Sequence, residues 1–398
     1  MKKYIILLFI CFAFAAKAQT IKQLKQDMYG IASDATEGRF TASPGYLKAA
    51  TYVLNALKTA GVKAHLQPVP FSWDDYTGSV ITIKDKIYQD NFIVMRRGIA
   101  GSGKWVVLAP GDSVKGKPAG VILLPNKDQA KDWETTVIRQ YRFGYMHYLP
   151  DGVNAPEGVP TIMVSPLLAK TLFPGDSVTV NLKYRSESKT GYNVIGKVAG
   201  TNPKLAQQAI IIGAHLDHIG RIGKHIYNGA NDDASGCVAE LGAAKMLAAH
   251  PGRHPVIFAF FCGEELNLKG SRWFADHLGV PQSDILMTVN LEQLGSKHRS
   301  FGGVWALGDP QFKTAFMKAG KSFAASDLQF SPTDSVKEVL SNTDTYSFMN
   351  KHVPSLLLGS GGFDEHHTPK DKIDLIDLPH LQKVSRLLTR FIRQIADH

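Results

Sequence analysis

The sequence predicts an α/β sandwich with a mostly β unit inserted into it, and three observations carry that prediction. From Thr190 to the C-terminus, short apolar runs alternate with helical patterns in a strand-then-helix rhythm. Two helical segments and a strand precede this part, between Ile21 and Val69. Between them, from about Phe71 to Glu187, the rhythm gives way to short β-like runs separated by Gly, Pro and Asp turns.

The first 18 residues, MKKYIILLFICFAFAAKA, set Lys2 and Lys3 before an apolar run from Ile5 to Ala16. They end in Ala16-Lys17-Ala18 ahead of Gln19. That is the pattern of a secretory leader with an Ala-x-Ala-type cleavage site, too short for a membrane span. Cys11 follows Ile10, a poor lipoprotein-site residue, and belongs to the apolar run. The expectation is an exported protein, periplasmic or extracellular, with no membrane span. Cleavage would remove Lys2, Lys3 and Lys17 and lower the net charge of +10 by three. The remaining basic residues are dispersed and form no nucleic-acid-binding stripe. Cys237 and Cys262 survive processing. A fold of this size needs no disulfide framework, and spacing alone leaves open whether they pair.

In chain order, Ile21 to Ala32 has a helical pattern, and Asp34 to Gly45 is a loop rich in small residues. Tyr46 to Ala60 follows as a helix with Tyr46, Ala50, Val53, Leu54 and Leu57 on one face and Gly61 stopping it. Val62 to Val69 reads as a strand. Six β-like runs fill the next stretch: Ser79–Ile83, Phe92–Met95, Trp105–Ala109, Gly120–Leu124, Thr161–Val164 and Ser177–Lys183. A helix over Asp128 to Gln140 interrupts them. Asn193–Val198 and Ala209–Ile212 are strands, and a helix runs on to Ala249. Pro255–Phe261, Ile285–Leu291 and Pro354–Leu358 are further buried strands, with a helix around Ser271 to Leu278. The closing helix, Pro379 to Ala396, spaces Leu381, Val384, Leu387, Leu388, Phe391, Ile392 and Ile395 along one face.

Chemistry gathers at the ends of these strands. After Ala209–Ile212 come His215, Asp217 and His218, then Asn231, Asp232 and Asp233 at the opening of a helix. After Pro255–Phe261 comes Cys262-Gly263-Glu264-Glu265. Asn290-Leu291-Glu292 closes another strand, and Asp364-Glu365-His366-His367-Thr368-Pro369 lies in a Gly-rich loop before the last helix. One such cluster is ordinarily a helix cap or solvated charge. Four at one sheet edge supply His, Asp, Glu, Glu and His, a mixed nitrogen and oxygen set suited to zinc or a similar divalent ion. The carboxyl edge of an open α/β sheet is also where ligands bind. Adjacent Glu264 and Glu265 point different ways, so one can bind metal while the other handles a proton.

His215-Leu216-Asp217, Gly229 to Gly236 (GANDDASG), Gly263-Glu264-Glu265, Asn290-Leu291-Glu292 and His367-Thr368-Pro369-x-Asp371 occur in that order. Together they resemble the five motifs of the co-catalytic di-zinc exopeptidases that include bacterial leucyl aminopeptidases and glutamate carboxypeptidase. Glu37-Gly38-Arg39 and Ser43-Pro44-Gly45 resemble that family's opening loop, and the inserted unit, with Gly158 to Ile162 near its end, resembles a protease-associated domain. The resemblance implies a three-layer α/β/α sandwich with a mixed, mostly parallel sheet. With the leader over 1–18, the borders read from the sequence are peptidase portions over 19–70 and 188–398 and the insert over 71–187. The resemblance further implies two Zn2+ ions per chain bridged by Asp232, with His215 and Glu292 completing one position and Glu265 and His367 the other. Glu264 would be the general base, and Asp217 would accept a hydrogen bond from His215 and orient it. A cis peptide between Asp232 and Asp233 is implied as well.

Amide hydrolysis at neutral pH needs a better nucleophile than water and a stabilised oxyanion. Two ions roughly 3.5–4 Å apart supply both. The expected substrates are peptides with a free N-terminus, because a crowd of carboxylates suits an ammonium group, whereas a carboxypeptidase needs Arg or Lys to grip a carboxylate. Arg221, Lys224, Lys269, Arg272 and Lys370 are the nearest such residues and form no cluster. A carboxypeptidase or dipeptidase, a glutaminyl-peptide cyclotransferase of the same fold and a non-catalytic binding module are the alternatives. Glu292 stands where many relatives have Asp, His366 where many have an aromatic residue, and Asn342-Thr343-Asp344-Thr345 lacks a His that many carry after the Asp. The insert is expected to wall one side of the cleft.

Overall fold

The computed structural model describes residues 19–397 apart from 76–77, 90, 97–100, 115–117, 132, 134–135, 137–158, 184 and 223–224. The leader, most of the helix expected over Asp128 to Gln140, and Lys224 lie outside the described residues, although a short helix does run Lys127–Lys131. Among the described residues no helix is long and apolar enough to cross a membrane.

An eight-stranded sheet forms the centre, in the order Lys63–Asp75, Arg185–Val198, Val256–Phe261, Ala209–His215, Ile285–Glu292, Ser355–Gly359, Val304–Gly308 and Leu328–Pro332. Its four middle strands run parallel. The strand pairs at either side bring in antiparallel neighbours, so the sheet is mixed. Alternation along Ala209–His215 explains why both faces are covered. Ile210, Ile212 and Ala214 point into a core shared with the helices Ile21–Ala32, Pro44–Thr59, Ser235–Ala249 and Leu378–Ala396. Ala209 and Ile211 point the other way, toward Phe261, Phe274 and Phe348 beneath Lys269–Asp276 and Thr345–Met349. Every residue of this strand is buried, as befits a parallel strand with helices on both sides. The result is three layers.

Three of the long helices start where a side chain satisfies a free N–H group. Thr20 and Gln23 form a reciprocal capping box on the first helix, Ser43 caps the second and Asp377 the last. Strand ends extend beyond the apolar runs read from sequence: Lys63–Asp75 and Arg185–Val198 pair along a long antiparallel ribbon. Between its two strands the chain builds a separate seven-stranded sheet with its own apolar core around Trp105, Ile122, Ile162 and Val180.

Candidate active site

The carboxyl ends of the four parallel strands converge, and each delivers part of one cluster. His215 is the last residue of Ala209–His215, and Glu292 is the last of Ile285–Glu292. Glu264 and Glu265 follow Val256–Phe261 after the turn at Gly263, and His366 and His367 lie in the loop beyond Ser355–Gly359. Asp232 comes from a distorted turn, Ala230–Ala234, that leads into the helix Ser235–Ala249, and the Asp232–Asp233 peptide is cis.

Asp232 sits at the middle. His215 Nε2 is 3.1 Å from its Oδ1 and 3.5 Å from Glu292 Oε1. On the other side His367 Nε2 is 3.2 Å from Asp232 Oδ2 and 3.3 Å from Glu265 Oε2. All five sequence-identified ligand candidates are therefore together. Two more histidines join them. His218 Nδ1 is 2.8 Å from Glu265 Oε1 and 3.6 Å from Asp232 Oδ2, and His366 Nε2 is 3.1 Å from Asp232 Oδ2. His366 is the more exposed of the pair, at 45 % against 0 % for His218. Asp233 is also close to His215 and Glu292. Its Oδ1, however, accepts the backbone N–H groups of Gly236 at 3.1 Å and Gln293 at 3.0 Å, which fixes the helix start against the Glu292 strand.

These donors fit divalent metal. Asp232 Oδ2 and Glu265 Oε1 are buried yet accept no well-aligned hydrogen bond, although nitrogens lie close to both. Lone pairs aimed at a common point produce that pattern. Electrostatics agree. Burial raises the Glu265 pKa, but His367 and His218 outweigh it and hold the carboxyl well below its ordinary range. Burial would lower the His367 pKa, and Glu265 and Asp232 instead push it up to about 11. The cluster thus demands positive charge, which protons or a metal can supply.

Glu264 differs from its neighbour. It is half-buried and faces the cavity. Burial pushes its pKa well above the ordinary value, with Glu265, Glu292 and Asp344 adding to the rise against the pull of His215. A carboxylate so placed is suited to taking a proton near neutral pH.

One expected contact is different. His215 Nδ1 lies 3.1 Å from the backbone carbonyl oxygen of Asp217, whereas the nearest Asp217 carboxylate oxygen is 3.9 Å away. Two residues past the strand end, the main-chain carbonyl is the nearer partner of the ring. The Asp217 carboxylate is held elsewhere, accepting from the Thr41 hydroxyl at 3.0 Å and from the Glu264 backbone N–H at 3.2 Å. Asp217 therefore orients His215 through its main chain and Glu264 through its side chain. Cys237 and Cys262 are both buried free thiols, and Cys237 Sγ donates to the His215 carbonyl oxygen.

Beside the cluster opens a cavity of about 680 Å³. Asp232, Glu264, Glu265 and Glu292 form its floor, and Trp305, Leu307, Val336, Val339 and Leu357 contribute an apolar wall. No Lys or Arg, and no residue of 71–187, is among its described lining residues. Arg221 is 3.8 Å from Glu37, Lys269 lies over the Phe71 ring and Arg272 packs on Tyr346.

Residues 193–392 match the model of Peptidase family M28. That is half of the chain, and the chain belongs to this peptidase family. A probable leucine aminopeptidase 2 of Aspergillus oryzae is 30% identical over 123 residues, which cover 30% of this chain and 23% of the fungal protein. An aminopeptidase of Pseudomonas aeruginosa is 25% identical over 320 residues, covering 70% of this chain and 58% of the relative. The chain thus spans less than two thirds of either relative. Among solved structures, an aminopeptidase from Aneurinibacillus sp. strain AM-1 superposes with a TM-score of 0.66 at 20% identity, covering 96% of this chain and 95% of that one. A zinc aminopeptidase from Bacillus subtilis gives 0.68 at 16% identity, covering 95% of each. At such identities the likeness establishes a common fold.

Proposed function

We propose that this chain is an exported metallo-aminopeptidase, which removes N-terminal residues from peptides and prefers a bulky apolar side chain there. The observation that carries the reading is the cavity floor: four carboxylates, with no Lys or Arg among the described lining residues. With metal bound, carboxylate oxygens that are not ligands remain as acceptors for an α-ammonium, while a terminal carboxylate finds no Lys or Arg side chain to grip it. The apolar wall of Trp305, Leu307, Val336, Val339 and Leu357 supports the side-chain preference. Export rests on the leader pattern over residues 1–18. The inserted sheet is read as a protease-associated domain.

His215, Asp232, Glu265, Glu292 and His367 would hold two zinc ions, with Asp232 shared. When bound, these supply a more acidic water and positive charge opposite the developing oxyanion. Glu264 accepts the proton of the attacking water and delivers it to the leaving amine nitrogen. Asp217 keeps Glu264 in position through the Glu264 backbone N–H. The test compares leucine p-nitroanilide with its N-acetyl form after chelation and after zinc is returned. Turnover only of the free amine, lost on chelation and restored by zinc, is the expected result. Equal rates on both substrates, or shortening of peptides from the carboxyl end, would overturn the aminopeptidase reading.

A further inference from the structure

The two halves of the cluster are not alike. Zinc ligands at about 2.0–2.2 Å in a tetrahedron stand roughly 3.4 Å from one another. Around the Glu265 half, the separations are 2.8 and 3.6 Å from His218 Nδ1 to Glu265 and Asp232, and 3.3 and 3.2 Å from His367 Nε2 to the same two residues. The ligand atoms of these four side chains lie within 4.8 Å of one another, and the half-exposed His366 approaches the group from the Asp232 side. Around the Glu292 half, His215 lies 3.1 and 3.5 Å from Asp232 and Glu292, and the other carboxylate there, Asp233, has its Oδ1 engaged by the backbone N–H groups of Gly236 and Gln293.

His218 is seated deliberately. Its ring is fully buried, and its backbone N–H donates to the Arg39 carbonyl oxygen at 3.2 Å. It packs on Gly229, which has φ 56; a Cβ there would collide with the His218 ring and with the Asp232 carbonyl oxygen. The glycine that lets the chain turn into Asp232 thus also makes room for this imidazole.

We propose that His218 is a fourth protein ligand at the Glu265–His367 position, so that this position is closed and tight while the His215–Glu292 position stays open and exchangeable. Closed four-ligand sites are the structural kind, and three-ligand sites leave room for water and substrate. The assignment rests on the two-metal reading above, and the experiment separates the two.

Metal-free protein is titrated with Zn2+ against a chromophoric chelator, and with Co2+ followed by visible absorption. Wild type is expected to take up two ions in two phases at least about tenfold apart. Loss of a carboxylate or carbonyl that merely supports a ligand typically costs about 10–100-fold, so loss of a ligand should weaken the tight phase by more than about 100-fold. That is expected of His218→Ala and equally of His218→Asn, whose amide can still donate near the Nδ1 position but binds metal poorly. The Co2+ spectrum of the first ion should change alike in both variants, and the weak phase should not. Glu292→Gln should remove the weak phase alone. A wild-type tight phase in His218→Asn would overturn the proposal and leave His218 as a hydrogen-bond donor to Glu265. Uptake of a single ion by wild type would sink the two-metal reading instead, and the His218→Asn affinity for that ion would still decide the ligand assignment.

Discussion

The Asp371 carboxylate accepts the backbone N–H of Asn231 at 2.8 Å and that of Asp232 at 3.0 Å, across 140 residues of chain. The stretch that carries His367 thus also grips the turn that carries Asp232. Asn231 extends the network: its Oδ1 accepts from the N–H groups of Gly295 and Ser296, both at 2.7 Å, just beyond Glu292. The segments that carry His367, Asp232 and Glu292 are thus joined through two short polar side chains.

Replacing Asp371 by Asn keeps the shape but turns an NH2 group toward one of the two N–H donors. One charge-assisted hydrogen bond is lost and a buried donor is left without an acceptor, at a cost of about 2–3 kcal/mol. Zinc affinity should fall by about tenfold or more, because a displaced ligand segment acts like a lost supporting contact. Urea unfolding of the metal-free protein and a zinc titration measure the two effects. Wild-type values for both would mean that the turn holds its shape without Asp371.

Adjacent Glu264 and Glu265 should separate cleanly. Glu264→Gln removes a proton acceptor that faces the cavity, so turnover should drop by about 10²–10⁴-fold while zinc content holds. Glu265→Gln touches the oxygens beside His218 and His367, so zinc content should drop instead. Elemental analysis and kinetics on the same preparations decide it, and the reverse pattern would exchange the two roles.

Among the described residues Arg39 makes no ion pair. Its guanidinium donates to the carbonyl oxygens of Leu216 at 2.7 Å, Gly229 at 2.9 Å, Asn228 and, more weakly, Ile31 at 3.4 Å, with no exposed surface. It therefore holds the His215 and Asp232 loops against the first helix. Lys cannot reproduce a planar fork, so Arg39→Lys should leave buried carbonyls unsatisfied and lose about 2–4 kcal/mol in urea unfolding. A loss below about 0.5 kcal/mol would show that water or Lys replaces the fork.

The five ligand candidates were legible because His215, Glu265 and Glu292 stand where short apolar strands stop, Asp232 opens a helix and His367 lies in the loop after another strand, and these ends of a parallel sheet meet at one edge. His218 stands in the same cluster after the strand but was given no ligand role: three residues past His215, it has the spacing of any loop histidine, and only the approach of Glu265 from another strand gives it one. The Asp217 contact was unreadable for a similar reason, since sequence does not say whether a carboxylate or its own carbonyl reaches a ring. Val304–Gly308 and Leu328–Pro332 were missed as strands. Both are short, and the second is a half-exposed edge with no apolar run to announce it. The cavity wall was hidden with them, because Trp305 and Leu307 lie on the first of these strands.

His380 provides a pH test away from the metal cluster. It lies in the first turn of the helix Leu378–Ala396, 6 % exposed, with its backbone N–H on Asp377 Oδ1 at 3.1 Å and its ring edge-on to Phe323. Burial lowers its pKa from 6.5 to about 4. Arg299 and Lys383 act in the same direction, and Asp377 and Asp327 oppose them. Because the folded value lies below the unfolded one, the stabilising contribution is complete above about pH 6.5. As pH falls toward 4 the unfolded chain takes up a proton that the folded chain refuses, and stability is lost by an amount on the order of 3 kcal/mol. His380→Gln cannot titrate, so its stability relative to wild type should improve by that order between pH 7.5 and pH 4. Urea unfolding of chelator-treated protein keeps metal loss out of the comparison, and other buried histidines, His218 among them, cancel between the two proteins. A difference between wild type and variant that stays constant with pH would mean that the His380 ring is protonated or solvated in the folded state.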